Sequence, residues 1–333
     1  MMKAMKMMRN SIFGIFLALS VFFISCNQNQ HNPPETSEDT PTSGQITISV
    51  DETIKPLIEA EKDAFEAIYK RARVIINYKP EAEVMADLLN DSSIIVIVSR
   101  KFNESERKSF EQEQLIPRET KIAFDAIAVL ANKNNPDTLI SLQELKDILL
   151  GKITKWNQLS PKGSSADIKL VFDNKNSSIV RYFLELINMK EFPNKSTYGL
   201  NSGEEVINYI AKDKNAFGFL GINYVSDTDD VQANGFLETI RIAEIEPADT
   251  SKYAGAYYKP YQSNIALRSY PLYRDIYVLS REARAGLGTG FTAFIAGDKG
   301  QRIVLKSGLV PATMPIRLIE VDNEALRIEK EKK

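Results

Sequence analysis

The chain of 333 residues holds one cysteine, one histidine and one tryptophan, and each scarcity excludes some chemistry. Cys26, alone, can form no disulfide within the chain. The sole histidine, His31, lies in residues 27–44, NQNQHNPPETSEDTPTSG, which have almost no apolar side chain. Such a stretch buries too little to fold and reads as a disordered tether. Beyond it no histidine or cysteine remains, so no zinc site of the usual ligand set is expected. Serine–histidine and cysteine–histidine nucleophile systems are excluded as well. An excess of one charge is also missing: 42 Lys and Arg balance 44 Asp and Glu, for a formal charge of −2. The two signs are interspersed, without the basic stripe that a nucleic-acid partner demands.

The N-terminus has what the remainder lacks, a long apolar run. Residues 1–10 carry Lys3, Lys6 and Arg9 and no acid, and residues 11–24 are almost wholly apolar. At about 14 residues the run is too short to span a bilayer as a mature helix. Charge, length and the small Ser25 before Cys26 predict a signal peptide over 1–25. The pattern resembles a bacterial lipobox, which implies that Cys26 becomes an acylated N-terminus followed by a tether to residue 44.

From residue 45 the hydrophobic pattern alternates between strand and helix periods. Residues 46–50 (ITISV) and 74–78 (VIINY) read as strands, and Leu57, Ile58, Phe65, Ile68 and Tyr69 make a helical stripe between them. A short helix over 83–90 precedes residues 94–98 (IIVIV), a continuous apolar run typical of a strand buried on both faces. This β-α-β-α-β order predicts an α/β fold with a parallel sheet. Further on, a charged helix over 104–112, a strand over 121–132, a capped helix over 141–150 closed by Gly151, a helix over 203–210 and a strand over 215–221 are expected. Residues 223–235 read as a polar loop, 253–261 as a tyrosine-rich surface segment, and 275–279 as a strand. Residues 288–306 read as containing a helix ended at 309–311, with a last strand over 316–319 and a charged tail after it. Trp156 reads as a core residue.

Ligands of parallel α/β sheets sit beyond the carboxyl ends of the strands. Those ends carry Asp51, Glu52 and Thr53, then Ser99 and Arg100, then residues 173–178 (DNKNSS). The last group is the richest. A strand over 170–172 leads through Asn176, Ser177 and Ser178 into a helix whose apolar stripe is Ile179, Val180, Phe183, Leu184 and Ile187. Asn and Ser are the residues that cap a helix start, and such a start carries unpaired N–H groups and partial positive charge. With Arg181 one turn in, the segment is a candidate anion site. The bland alternative is a cap followed by a solvated arginine. Asp125, a carboxylate inside an apolar strand run, is costly unless paired. It reads either as a ligand residue or as a bulge that reaches water.

In this order the landmarks resemble the PstS-like periplasmic phosphate-binding proteins of ABC transporters, over residues 45–319. The resemblance rests on Val98-Ser99-Arg100 after a buried strand and on residues 149–156 (LLGKITKW) spaced to the strand–NSS–helix segment. Residues 216–219 (AFGF), 270–272 (YPL), Gly300-Gln301 and 308–311 (GLVP) support it. It implies a class II periplasmic-binding-protein fold, two α/β lobes joined by a hinge of two crossing strands. Lobe one would comprise 45–124 and 266–320, lobe two 125–265, and 321–333 a tail. It implies a monomeric, lipid-anchored receptor on the periplasmic side of the cell envelope that hands phosphate to an inner-membrane permease. No cofactor, metal, nucleic acid or catalysis is expected.

Carried over residue by residue, the site is mixed. The family's helix-terminus serine matches Ser177, with Ser178 beside it, and its first-loop threonine falls on Glu52 or Thr53. The arginine expected a few residues before Ser177 is Asp173, leaving Arg181 to supply that charge. The serine-glycine loop becomes residues 79–83 (KPEAE), and the acceptor aspartate after Ser99 becomes Arg100. The expected ligand set is Glu52, Thr53, Ser99, Arg100, Asp125, Asn176, Ser177, Ser178 and Arg181, with Asp51 or Asp173 as further acceptors. Phosphate leads; sulfate, molybdate, an organophosphate, or a sensor whose cleft is filled by an Asp173–Arg100 salt bridge are the alternatives.

Overall fold

The computed structural model describes residues 39–161, 163–226 and 231–316. The expected signal peptide, Cys26 and most of the tether, and the strand after residue 316 with its tail, lie outside these residues. No helix among those described is long and apolar enough to cross a membrane.

The strands are β1 (Ser43–Asp51), β2 (Arg71–Lys79), β3 (Ile95–Val98), β4 (Arg118–Asn132), β5 (Leu139–Ser141) and β6 (Lys169–Phe172). They continue with β7 (Thr197–Gly199), β8 (Ala216–Gly221), β9 (Ile240–Ile242), β10 (Glu244–Glu246), β11 (Tyr273–Ser280) and β12 (Val310–Pro311). The helices are α1 (Lys55–Ile68), α2 (Glu81–Leu89), α3 (Glu104–Gln112), α4 (Leu142–Leu149) and α5 (Ser178–Leu186). After them come α6 (Gly203–Lys212), α7 (Val231–Leu237), α8 (Gln262–Leu267), α9 (Leu287–Ala296) and α10 (Asp298–Lys306).

One curled sheet runs through the molecule in the order β2-β1-β3-β11-β4-β8-β6-β7, with β9 and β12 also paired to β4. β1 is parallel to both β2 and β3, and β6 is parallel to both β7 and β8. β11 and β4 are antiparallel and stitch the two parallel halves together. β4 does this within one strand. Residues up to Ala126 pair with β11, and residues from Ile127 pair with β8. The Ile127 amide bonds the Leu272 carbonyl just ahead of β11, so the two crossing strands lie side by side at the junction. This is the periplasmic-binding-protein fold.

The halves have separate cores. Ile48, Val50, Leu57, Ile58, Phe65, Ile97 and Phe291 fill the first half. In the second, Phe172 stacks on Phe219 at 4.7 Å and Phe183 meets Phe219 edge-on at 4.8 Å. Phe183 is one turn into α5, so this cluster fixes how α5 leaves the sheet. Aromatic pairs contribute about 0.5–1.5 kcal/mol beyond their buried area. Trp156 is 2 % exposed and packs on Phe217.

Sequence expectation and structure differ at three places. The helix over 288–306 is two, α9 and α10, because Gly297 takes an extended conformation between them (φ −84°, ψ 174°) and serves as cap to both. Residues 309–311 do not merely end it, since Val310 and Pro311 pair with Phe124 and Ala123 of β4. The polar loop over 223–235 instead carries a 3-10 turn, Ile222–Tyr224, and then α7. Asn223 and Tyr224 are buried there because both reach the first half, as described below.

Candidate functional site

The carboxyl ends of β1, β3 and β6 meet where the two halves face one another. β1 ends in Asp51, and a 3-10 turn, Glu52–Ile54, follows. Asp51 caps this turn: its Oδ1 accepts from the Thr53 amide at 3.1 Å and its Oδ2 from the Thr53 hydroxyl at 2.8 Å. From the other half Ser177 caps α5, its Oγ accepting from the Val180 amide at 3.3 Å. Ser178, the first residue of α5, places its Oγ 3.0 Å from the Thr53 Oγ1. Asn223 donates to the Thr53 carbonyl at 3.0 Å, and the Tyr224 hydroxyl to the Glu52 carbonyl at 2.9 Å. The two parallel units therefore touch through strand ends and caps, where backbone groups are free to be bonded across.

A residue that the sequence reading missed anchors this junction. Arg274 of β11 lies directly opposite Asp125 of β4 in the antiparallel register. Its Nε donates to Asp125 Oδ2 at 2.8 Å, its Nη2 lies 2.7 Å from the same oxygen, and its Nη1 donates to Ser178 Oγ at 2.8 Å. The side chains are 2 % and 0 % exposed. Asp125 thus does not bulge toward water; its Oδ2 holds Arg274. Burial pulls the Arg274 guanidinium down, but the Asp125 and Asp51 charges raise it above its ordinary value. A chain of donors follows, Arg274 to Ser178 to Thr53 to Asp51, running from the crossing strands through α5 to the end of β1. The signal in the sequence was the cost of Asp125, which demanded a cation without saying which.

Arg181 and Arg100 meet on a second line across the junction. Arg181 reaches from α5 to Glu81 of α2, with Nε 2.5 Å from Oε1 and Nη2 3.2 Å from Oε2. The Arg181 Nη2 also donates to Ser99 Oγ at 3.1 Å. Arg100 forms a bidentate pair with Glu106 at 2.8 and 2.6 Å, and its Nε is 3.6 Å from Glu81 Oε1. The Asp173–Arg100 salt bridge of the alternative sensor reading does not form, because Glu106, in the first turn of α3, takes the Arg100 fork. Around these groups opens a cleft of about 370 Å³, lined from one side by Glu81 and Arg100 and from the other by Lys175, Asn176, Ser177 and Arg181. Ligand clefts run from about 300 Å³ upward. A larger cavity, about 620 Å³, is lined by Ile222, Ile240, Ile242, Pro260 and Tyr261 among others. It shares no residue with the cleft, and the residues at the ends of β1, β3 and β6 do not line it.

Two acids in the junction are far from their ordinary state. Burial pushes Asp173 up to about 7; the Ser177 hydrogen bond lowers it and the Asp51 and Glu52 charges raise it. Its Oδ1 is buried without a partner. Burial and the Glu81 charge push Asp51 up to about 6 against the pull of Arg274 and of the Ser178 and Thr53 hydroxyls. Burial also raises Glu52, against its Tyr224 bond. Near neutral pH Asp173 and Asp51 can hold or accept a proton beside the hydroxyls of Thr53, Ser177 and Ser178. Of the sequence candidates, Thr53, Ser99, Ser177, Ser178 and Arg181 converge. Arg100 and the exposed Asn176 sit at the rim, while Glu52 is engaged by Tyr224. Among the described residues no acidic, histidine or cysteine group is placed to hold a metal ion.

Residues 35–299 match the family described as PBP superfamily domain. Among curated relatives, the phosphate-binding protein PstS of Staphylococcus saprophyticus is 23% identical over 267 residues, covering 78% of this chain and 77% of its own length. PstS of Pseudomonas aeruginosa is 23% identical over 307 residues, covering 86% and 88%. Among solved structures, a Clostridium perfringens protein with bound phosphate is 24% identical at a TM-score of 0.66, covering 81% of this chain and all of its own. An ABC-type phosphate transport receptor from Vibrio cholerae is 20% identical at 0.60, covering 80% and 100%. These likenesses fix the fold.

Removing one member of the Arg274–Asp125 pair leaves a buried charge uncompensated, a loss of about 3–5 kcal/mol. Arg274→Met and Asp125→Leu are each expected to lose that much in urea unfolding, and the double variant to recover most of it. Additive losses in the double variant would show that the two side chains do not act as a pair.

Proposed function

The chain belongs to the PBP superfamily-domain family, and on that premise we propose that it is the solute receptor of an ABC importer, binding phosphate in the cleft between its halves. It binds without covalent change and passes its solute, as a monomer, to an inner-membrane permease. The observation that carries this reading is a cleft between the halves lined by Arg100 from one side and by Ser177 and Arg181 from the other, with Ser99 bonded to Arg181 and Ser178 beside Ser177. Hydroxyls, a helix start and a guanidinium are the donors that an oxyanion needs. In this reading Thr53, Ser99, Ser177, Ser178 and Arg181 contact the anion, and Arg100 and Asn176 form the rim. Asp125 positions Arg274, and Asp51 or Asp173 replaces the acceptor that Arg100 displaced. Lobe one is 45–124 with 266–320, lobe two is 125–265, and the two close by hinge motion about β4 and β11.

The same reading makes residues 1–25 a signal peptide and Cys26 a lipid anchor on the periplasmic side of the cell envelope. Cys26→Ser is expected to move the protein from the membrane fraction to the soluble one. Unchanged fractionation would remove the anchor.

The pH dependence of binding has a definite sign. An anion beside Asp173 and Asp51 disfavours their ionised forms further, so binding takes up protons, and affinity rises as pH falls through about 7 and then about 6. The acids Glu52 and Glu81 add to this field, and Arg274 and Arg181 oppose it. Calorimetry with the full chain, stripped of bound anion by partial unfolding, is expected to show phosphate binding that tightens between pH 8 and 6, by at most about tenfold per pH unit for each acid that takes up a proton. Sulfate is titrated side by side as the comparison anion. Heat from sulfate with none from phosphate would reassign the ligand, and heat from neither would end the receptor reading.

A further inference from the structure

The Glu81 carboxylate is surrounded as a bound oxyanion would be. Its Oε2 accepts from the Ser99 amide at 3.1 Å, the Ser99 hydroxyl at 3.0 Å and Arg181 Nη2 at 3.2 Å. Its Oε1 accepts from Arg181 Nε at 2.5 Å, with Arg100 Nε at 3.6 Å. The side chain is 4 % exposed. An acid in the first turn of a helix usually serves only to complement the helix dipole, and Glu81 is the first residue of α2. That role leaves such a side chain in solvent, whereas Glu81 is turned inward onto groups of two other elements. Those elements belong to opposite sides of the cleft. Ser99 follows β3 in the first half, and Arg181 lies on α5 in the second. Beside them the Ala82 amide reaches the Asn176 carbonyl at 3.4 Å, a second link across the same gap.

We infer that Glu81 is a tethered stand-in for the solute: its carboxylate occupies the Ser99 and Arg181 donors, latches the two halves together, and competes with an incoming oxyanion. Guanidinium and hydroxyl donors bind carboxylate and tetrahedral oxyanions alike. Two anions cannot share them at contact distance, since like charges about 4 Å apart repel strongly in a partly buried site. A solute that takes these donors must therefore expel the Glu81 side chain into the open cleft. Glu81 then sets the solute concentration at which the receptor loads, and the latch releases as the solute arrives. The competition half of this inference rests on the oxyanion reading of the cleft, while the latch half rests on the contacts alone.

The test measures both halves in the full chain. Spin labels on cysteines introduced at Lys108 and Lys190, both exposed and on opposite halves, report the distance between them in a Cys26→Ser background. Glu81→Gln keeps the shape and removes the charge, and Glu81→Ser removes the reach. Should one variant fail to fold, the other carries the test. Without phosphate, both are expected to show a longer and broader distance distribution than the parent chain. In calorimetry both are expected to bind phosphate at least tenfold more tightly. A distribution unchanged in both variants overturns the latch, and unchanged or weaker phosphate binding, in a parent chain that binds it, overturns the competition. A widened distribution with no phosphate heat from any form keeps the latch and removes phosphate as the solute. Phosphate binding by the parent with no change in distance or affinity does the reverse.

Discussion

The ion pair between Arg274 and Asp125 is the contact on which the remaining arrangement depends. It sits in register between the two strands that cross from one half of the molecule to the other, within two residues of the point where β4 changes partners. Its desolvation is costly, and an attractive pair alone does not repay that cost in a dry interior. Two hydrogen bonds of the guanidinium offset part of it, Nε to Asp125 and Nη1 to Ser178, while Nη2 makes only a charge contact with Asp125. Through Ser178 the pair fixes the first turn of α5, and through Thr53 it reaches Asp51 at the end of β1. Any rotation of the halves about the crossing strands must stretch this chain, so hinge angle and site geometry are one variable.

The second theme is a surplus of acid around the donors. Asp51, Glu52, Asp173 and Glu81 stand near Arg181 and Arg274, and burial raises the first three. A cleft that bound anions by net positive charge alone would not be built this way. On the proposed reading this one would work by directed hydrogen bonds, with Asp51 and Asp173 able to carry a proton near neutrality and so to become partners of a protonated oxyanion instead of adversaries. Glu81 differs from the others because Arg181, Ser99 and Arg100 surround it. Of the four it is the one that lines the cleft.

Much of this was legible in the sequence, and the parts that were not share a cause. The continuous run over 94–98, the alternation of 46–50 and the stripe of α1 specified a parallel α/β sheet because each pattern has one period. Ser141 with Glu144, and Ser177 before the stripe of α5, announced their helices as caps. That the segments carrying Thr53, Ser99 and Ser177 lie at strand ends could be read from topology alone. Arg274 could not, because it lies 149 residues from Asp125, and nothing local distinguishes it from any arginine near a strand. Glu81 read only as part of the loop over 79–83, and Arg100 as a ligand residue, for the same reason: their partners, Arg181 and Glu106, are set by packing. The break at Gly297 was the one local signal passed over.

The most direct test of the central claim is a crystal structure of the protein grown with phosphate. The account predicts density for the anion in the cleft between Ser177, Ser178, Ser99 and Arg181, with the Glu81 side chain displaced from Arg181 and the Arg274–Asp125 pair intact. A cleft without phosphate and with Glu81 still on Arg181, or phosphate bound only at the surface, would contradict it.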